Sequence, residues 1–252
     1  MKGAGRMRLD QALVERGLCS SRENAKRSVL AGQIRVNGAR AAKPSDPVGP
    51  TDVLEVAVAM PYVSRGGFKL AHALEAFGLD VRGWTLLDIG ASTGGFTDCL
   101  LQRGAARVCA VDVGRGQLAW KLRQDPRVVV REGVNARHLG AHDLPADWPP
   151  ADGIVIDCAF ISLRLVLPPL LSWLRPGGRI VALVKPQFEA GKAEADRGGG
   201  VITDPAVHER VLAELRVFVD ALPGLHWCGH VDSPILGPAG NKEFLALLEK
   251  AS

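Results

Sequence analysis

Long apolar runs, paired cysteines and a pyrophosphate-binding loop are all missing from this sequence of 252 residues, and each absence removes a class of function. No stretch approaches the roughly 20 apolar residues of a membrane span. The start, Met1 to Arg6, lacks the apolar core of a signal peptide, so a cytoplasmic protein with no membrane partner is expected. The five cysteines, Cys19, Cys99, Cys109, Cys158 and Cys228, are odd in number and widely spaced. Without a C-x-x-C pair they read as reduced, buried thiols, not a zinc site, a redox pair or a disulfide framework, and no metal is expected. Gly90-Ala91-Ser92-Thr93-Gly94-Gly95 puts three residues between its first two glycines, where a dinucleotide loop has one, and no Lys-Ser or Lys-Thr pair follows. That argues against pyrophosphate binding, and with it against an oxidoreductase.

What is present is an ordinary globular composition, 47% hydrophobic and 23% charged, long enough for one large domain or two smaller ones. Leu86-Leu87-Asp88-Ile89 reads as a buried strand running into the glycine turn and then a helix, from about Gly94 to Arg103. Such a turn lets the backbone approach a ligand closely at the carboxyl end of a parallel strand. With an acid before it and no phosphate loop, it suits a ligand with an amino-acid head and a ribose, and S-adenosylmethionine is one. Arg107 to Asp112 is a second strand ending in an acid, 22 residues beyond Gly90, near the spacing expected of a ribose partner. Arg127 to Arg131, Gly153 to Asp157 and Arg179 to Lys185 continue the strands, and Asn135 could border an adenine. Strands alternating with helices give an α/β fold with a mostly parallel sheet.

The charge is uneven. Residues 1–60 carry ten Lys and Arg against six Asp and Glu, a net of +4, while the remaining 192 balance at 21 against 21. In that first quarter Leu9, Leu13 and Leu18 suit a short helix, and Ser20 with Glu23 reads as a capping box for a second. Asn37-Gly38 signals a hairpin after Gln33 to Val36, and Val53 to Val56 adds a strand. Two helices, a hairpin and a basic face suggest a small α+β unit that binds RNA through phosphates and shape. The alternative is a solvated basic face without a partner.

Met60 to Gly67 has the composition of a domain junction, so residues 1–60, 61–67 and 68–252 are expected as an RNA-binding domain, a linker and a catalytic domain. Pro168-Pro169 would start a helix, with the residues before it in a turn. Residues 186–203, rich in glycine and charge, read as a mobile lid. Asp204 caps a helix to about Leu222, in which His208 is given no role. Leu225 to Val231 and Phe244 to Leu248 are strands, although Phe244 to Lys250 could equally be a helix by pattern. Lys69, Asp157, Lys185 and Glu243 fall at a helix start, two strand tips and the base of the last strand. They could form a catalytic cluster or a structural ion-pair network.

Two resemblances sharpen this. Arg8-Leu9-Asp10, Ser20-Ser21-Arg22 and Ile34 to Gly38 resemble the S4 RNA-binding domain, which implies phosphate contacts from Arg8, Arg22, Lys26, Arg27 and Arg35. Ser64 to Leu70, Asp88 to Phe96, Asp157 to Ser162, Val184 to Glu189 and Gly240 to Phe244 are similar to the TlyA family, also labelled hemolysin A, of ribosomal RNA 2′-O-methyltransferases. The catalytic part resembles FtsJ (RrmJ) methyltransferases. The resemblance implies a Rossmann-like class I methyltransferase with a seven-stranded sheet, preceded by the S4-like domain. It implies S-adenosylmethionine held by Asp88, Gly90, Ser92, Gly94, Gly95, Phe96, Asp112, Asn135 and Asp157. The family's Lys-Asp-Lys-Glu tetrad maps onto Lys69, Asp157, Lys185 and Glu243, with Lys185 favouring an alkoxide-like ribose 2′-oxygen. Cys158-Ala159 stands where the family more usually has Val-Ser. The expected partner is ribosomal RNA or a ribosomal subunit, approached by a monomer, and the short segment before Arg8 points to the large subunit. A non-catalytic RNA-binding assembly factor and a membrane-active hemolysin are the rival readings.

Overall fold

The computed structural model describes residues 5–56 and 60–252, which fall into two compact units, Met1–Met60 and Pro61–Ser252. In the first, helices Leu9–Glu15 and Arg22–Leu30 pack Leu9, Leu13, Ala25 and Val29 against Ile34 and Leu54. The strands Ile34–Val36, Ala39–Arg40 and Leu54–Val56 form a small antiparallel sheet. Asn37 and Gly38 both take positive φ, 51° and 80°, which a tight hairpin turn of right-handed twist requires. The second helix is capped by Ser21, whose side chain accepts from Asn24 N, and not by Ser20 with Glu23. The reason is the exit from the first helix: Leu18 N and Cys19 N both close onto Leu13 O, which carries the chain one residue further before the new helix begins.

The second unit is built on strands β1 (Thr85–Ile89), β2 (Arg107–Asp112), β3 (Val128–Glu132), β4 (Ala151–Ile156), β5 (Leu174–Val184), β6 (Leu225–Asp232) and β7 (Phe244–Lys250). They form one sheet in the order β6-β7-β5-β4-β1-β2-β3, parallel except that β7 runs antiparallel to both neighbours. Helices α1 (Gly66–Ala76), α2 (Gly95–Gln102), α3 (Trp120–Arg123), α4 (Leu163–Leu170), α5 (Pro186–Glu189), α6 (Lys192–Arg197) and α7 (Pro205–Asp220) complete it. Alternation along the strands sorts the core into two layers. Ile154, Ile156, Ala182, Val184 and Phe244 meet α4 and α7 through Val166, Leu170, Val211 and Leu215. Val155, Val181, Leu183 and Leu245 meet α1 and α2 through Leu70, Leu74, Phe96 and Leu100. The chain crosses from one layer to the other where β1 lies between β4 and β2, the place where open α/β sheets form a ligand crevice.

Three expectations change. The helix around Pro168-Pro169 begins at Leu163, capped by Ser162, and holds both prolines in its last turn. Each proline there forfeits one i→i−4 backbone bond, and burial of Leu163, Val166, Leu167 and Leu170 along one stripe outweighs that loss. Residues 61–67 pack into the second unit instead of standing free: Val63 N donates to Asp98 Oδ2, Gln102 reaches Pro61 O, and α1 already starts at Gly66. The segment 186–203 folds into α5 and α6 and is tied at one end by Glu189 and at the other by Asn241, whose side chain bonds Ile202 N and Gly200 O. His208 is buried with Nε2 3.0 Å from Ile202 O, a structural placement. Phe244–Lys250 is a strand.

Candidate active site

A cleft of about 460 Å³ opens at the carboxyl ends of β1, β2 and β4, a size that takes a nucleoside ligand. Of the cofactor residues expected from the sequence, Gly90, Ser92, Asp112, Asn135 and Asp157 line it. Gly90 has φ +82°, and a Cβ there would stand 2.6 Å from Asp157 O, so only glycine lets the ends of β1 and β4 abut. Ser92 follows at φ +49°, and its N–H donates to Asp112 Oδ2 at 2.7 Å while Gly114 N donates to Oδ1 at 2.6 Å. The acid at the tip of β2 is thus fixed by backbone on both sides, with lone pairs left for a ligand diol.

The other expected cofactor residues do not line the cleft. Gly94, at φ +94°, gives room to Leu118 and Leu122, and a Cβ on Gly95 would come within 2.9 Å of Gly67 N, so these glycines let α3 and α1 close on the turn. Phe96 is core. Asp88 is fully buried; Oδ2 accepts from Thr97 Oγ1 at 2.5 Å, and Oδ1 has no donor. Burial, reinforced by the charges of Asp157 and Asp112, pushes its carboxyl up to about 7. The thiol of Cys158, which also lines the cleft, is pushed up to about 12 by burial and is no nucleophile at neutral pH.

Two lysine–carboxylate pairs lie at the neighbouring strand ends, and of their four residues Asp157 lines the cleft. Lys185 Nζ stands 2.6 Å from Asp157 Oδ1, and Lys69 Nζ 2.5 Å from Glu243 Oε2. Register explains why four residues so distant in sequence meet. Val184 pairs with Phe244, so Lys185 and Glu243 come next on adjacent strands, and alternation turns them to the face covered by α1, which carries Lys69 in its first turn. Lys69 and Glu243 are buried, whereas Lys185 and Asp157 keep side-chain exposures of 12% and 23%, which leaves the latter pair accessible to a substrate.

Val134 belongs to the stretch before Asn135 expected to border an adenine, and Ile161 to the Asp157–Ser162 motif, whereas Gln117 lines the cleft without any signal in the sequence. Phe160 is 91% exposed at the cleft and holds φ +62°, a conformation that costs a bulky residue about 1 kcal/mol or more. In the first unit, Arg8 and Arg22 both bond the buried carboxylate of Asp10, at 3.0 and 3.2 Å. The hydrogen bond from Arg8 holds that carboxyl below the usual range. Lys26 lies 3.9 Å from Glu23, Arg35 donates to Gly38 O, and Arg27 is exposed.

The family model for FtsJ-like methyltransferases matches residues 62–250, and that for the S4 domain residues 7–54. The chain is 48% identical over 248 residues to the 16S/23S rRNA (cytidine-2′-O)-methyltransferase TlyA of Mycobacterium tuberculosis, covering 97% of this chain and 90% of that protein. It is 40% identical over 241 residues to hemolysin A of Brachyspira hyodysenteriae, covering 95% and 98%. A solved structure from Streptococcus thermophilus superposes with a TM-score of 0.73 at 45% identity, covering 99% and 90%. Among the described residues no helix is long and apolar enough to cross a membrane.

Proposed function

The chain belongs to the FtsJ-like methyltransferase family and carries an S4 domain, and from this we propose that it transfers the methyl group of S-adenosylmethionine to a ribose 2′-oxygen of ribosomal RNA in the cytoplasm. The observation that carries the reading is Asp157, which lines the cleft and at the same time holds Lys185 at 2.6 Å, so that the donor site and a cationic group share one residue. Asp112 would take the cofactor's ribose diol, and Asn135 and Val134 would border its adenine. Once bound, the cofactor supplies an electrophilic methyl group.

The protein's own task is the nucleophile. A ribose hydroxyl attacks poorly at neutral pH, and the positive charge of Lys185 lowers the cost of alkoxide character on its oxygen. Asp157 orients Lys185, and the Lys69–Glu243 pair balances charge behind it. Phe160, exposed beside the cleft, offers a face on which an unstacked base can lie. Arg8, Arg22, Lys26, Arg27 and Arg35 of the S4 unit would hold phosphates.

Transfer of labelled methyl from S-adenosylmethionine to ribosomal RNA, followed by mapping of ribose methylation, tests this directly. Protection at a cytidine 2′-O position is expected if the chain follows the relative named above, which modifies cytidine in both 16S and 23S rRNA. Absence of label in RNA under conditions where the cofactor binds would reject the reading.

A further inference from the structure

The segments 157–163 and 185–189 are joined three times. Asp157 pairs with Lys185 at 2.6 Å, the rings of Phe160 and Phe188 lie 5.2 Å apart at 49°, and Glu189 accepts from Ser162 Oγ at 2.6 Å and from Leu163 N at 2.7 Å. The last contact caps α4 from another segment: Glu189 takes Leu163 N and Ser162 takes Arg164 N, so the first two orphan donors of that helix are satisfied. Phe160 sits between the ion pair and this cap. A left-handed phenylalanine persists only where its surroundings over-determine it. Of the three non-glycine residues with positive φ among those described, Asn37 and Ser92 are small and polar, while Phe160 is bulky and has its ring in solvent. Among the described residues Phe188 is the aromatic partner of a ring that is otherwise mostly in solvent, so the constraint comes from the two ends of the turn. One end is the ion pair and the other is Glu189.

We propose that Glu189 is a positioning residue for methyl transfer: by gripping Ser162 and Leu163 it keeps the Asp157–Ser162 turn closed on the Lys185 segment and holds Phe160 in its left-handed conformation at the mouth of the cleft. The assignment rests on the reading of Asp157 and Lys185 given above. Half-buried and bonded on both oxygens, Glu189 touches no part of the cleft, so it acts through the turn alone. Burial raises its carboxyl above the usual range while the two donors oppose that rise, as expected of a carboxylate kept for its acceptors.

The test compares Glu189→Ala, Glu189→Gln and Ser162→Ala with the wild type for kcat on ribosomal RNA, S-adenosylmethionine affinity and melting temperature, and repeats Glu189→Ala in a Phe160→Gly background. Glu189→Ala should lower kcat about tenfold with cofactor Kd within about threefold, and Glu189→Gln, which keeps one acceptor oxygen, should recover part of the loss. Because glycine takes positive φ without strain, the effect of Glu189→Ala should shrink in the Phe160→Gly background. A kcat within about twofold of wild type, a matching fall in cofactor affinity, or simple additivity with Phe160→Gly would overturn the assignment. Should Glu189→Ala fail to fold, Glu189→Gln and Ser162→Ala decide by the same criteria. If the wild type transfers no methyl at all, the reading of the site has failed and hydrogen exchange judges Glu189: faster exchange of residues 158–163 in Glu189→Gln supports the grip, and unchanged exchange removes it.

Discussion

Lys69 and Glu243 are 174 residues apart in the chain and 2.5 Å apart in space, and both side chains are buried. Removing one member of such a pair leaves an uncompensated buried charge, which costs about 3–5 kcal/mol. Lys69→Met alone should therefore lower unfolding stability by that order, and Lys69→Met with Glu243→Leu should restore most of it. Urea midpoints of the two single variants and the double variant check this. If the double variant is as unstable as the sum of the singles, the pair is not what links α1 to β7.

Lys185 is the more accessible lysine, and its loss should separate binding from chemistry. Lys185→Ala is expected to reduce methyl transfer by about two to three orders of magnitude, the scale of a lost electrostatic stabiliser. Cofactor affinity should change by less than about threefold, because Gly90, Ser92 and Asp112 hold the cleft independently. Single-turnover transfer of labelled methyl, set beside calorimetric titration of S-adenosylmethionine, measures both. Unchanged transfer would remove Lys185 from the mechanism.

The sheet is legible because its central strands are apolar runs, and acids or a lysine at strand tips mark one edge: Asp112, Asp157 and Lys185 all lie there. The glycine turn was legible as a turn but not in its division of labour. Gly90 abuts the β4 end beside the cleft, while Gly95 serves helix packing, and the difference depends on neighbours brought in from residues 64–67 and 157–158. Pro168 and Pro169 favour a helix start by local propensity, and the buried stripe beneath them overrides it. Phe160, Glu189 and Asn241 carry no periodic signal at all; what they do follows from contacts 26 to 41 residues away.

Asp88 should make the protein sensitive to pH. Its folded carboxyl titrates at about 7, against roughly 3.9 in an unfolded chain, so between these values the native state keeps a proton that the unfolded state has released. Stability from this group is therefore fully present below about pH 4 and is lost as pH rises towards and through 7, at no more than about 1.4 kcal/mol per pH unit. Asp88→Asn should flatten that decline when urea midpoints are compared between pH 5 and pH 8.

Charge alone and geometry make opposite predictions at Asp10. Replacing it by Asn adds one positive charge to a unit already at a net of +4, which by long-range attraction should tighten RNA binding. Geometrically, Asp10 is the fully buried carboxylate that bonds both Arg8 and Arg22, and without its charge the two guanidinium groups lose the strong partner that fixes their direction. Preorganised donors lose less entropy on meeting phosphates, so Asp10→Asn should weaken RNA binding, and its salt dependence should become shallower as contacts fail to form. Arg27→Ala with Arg35→Ala provides the reference, since both residues are exposed and each lost phosphate contact should lower the slope of log K against log salt by about 0.7–0.9. Binding of ribosomal RNA fragments measured across a salt series distinguishes the cases: tighter binding by Asp10→Asn would mean that the S4 unit works by net charge, and weaker binding with a reduced slope would mean that it works by holding its arginines in place.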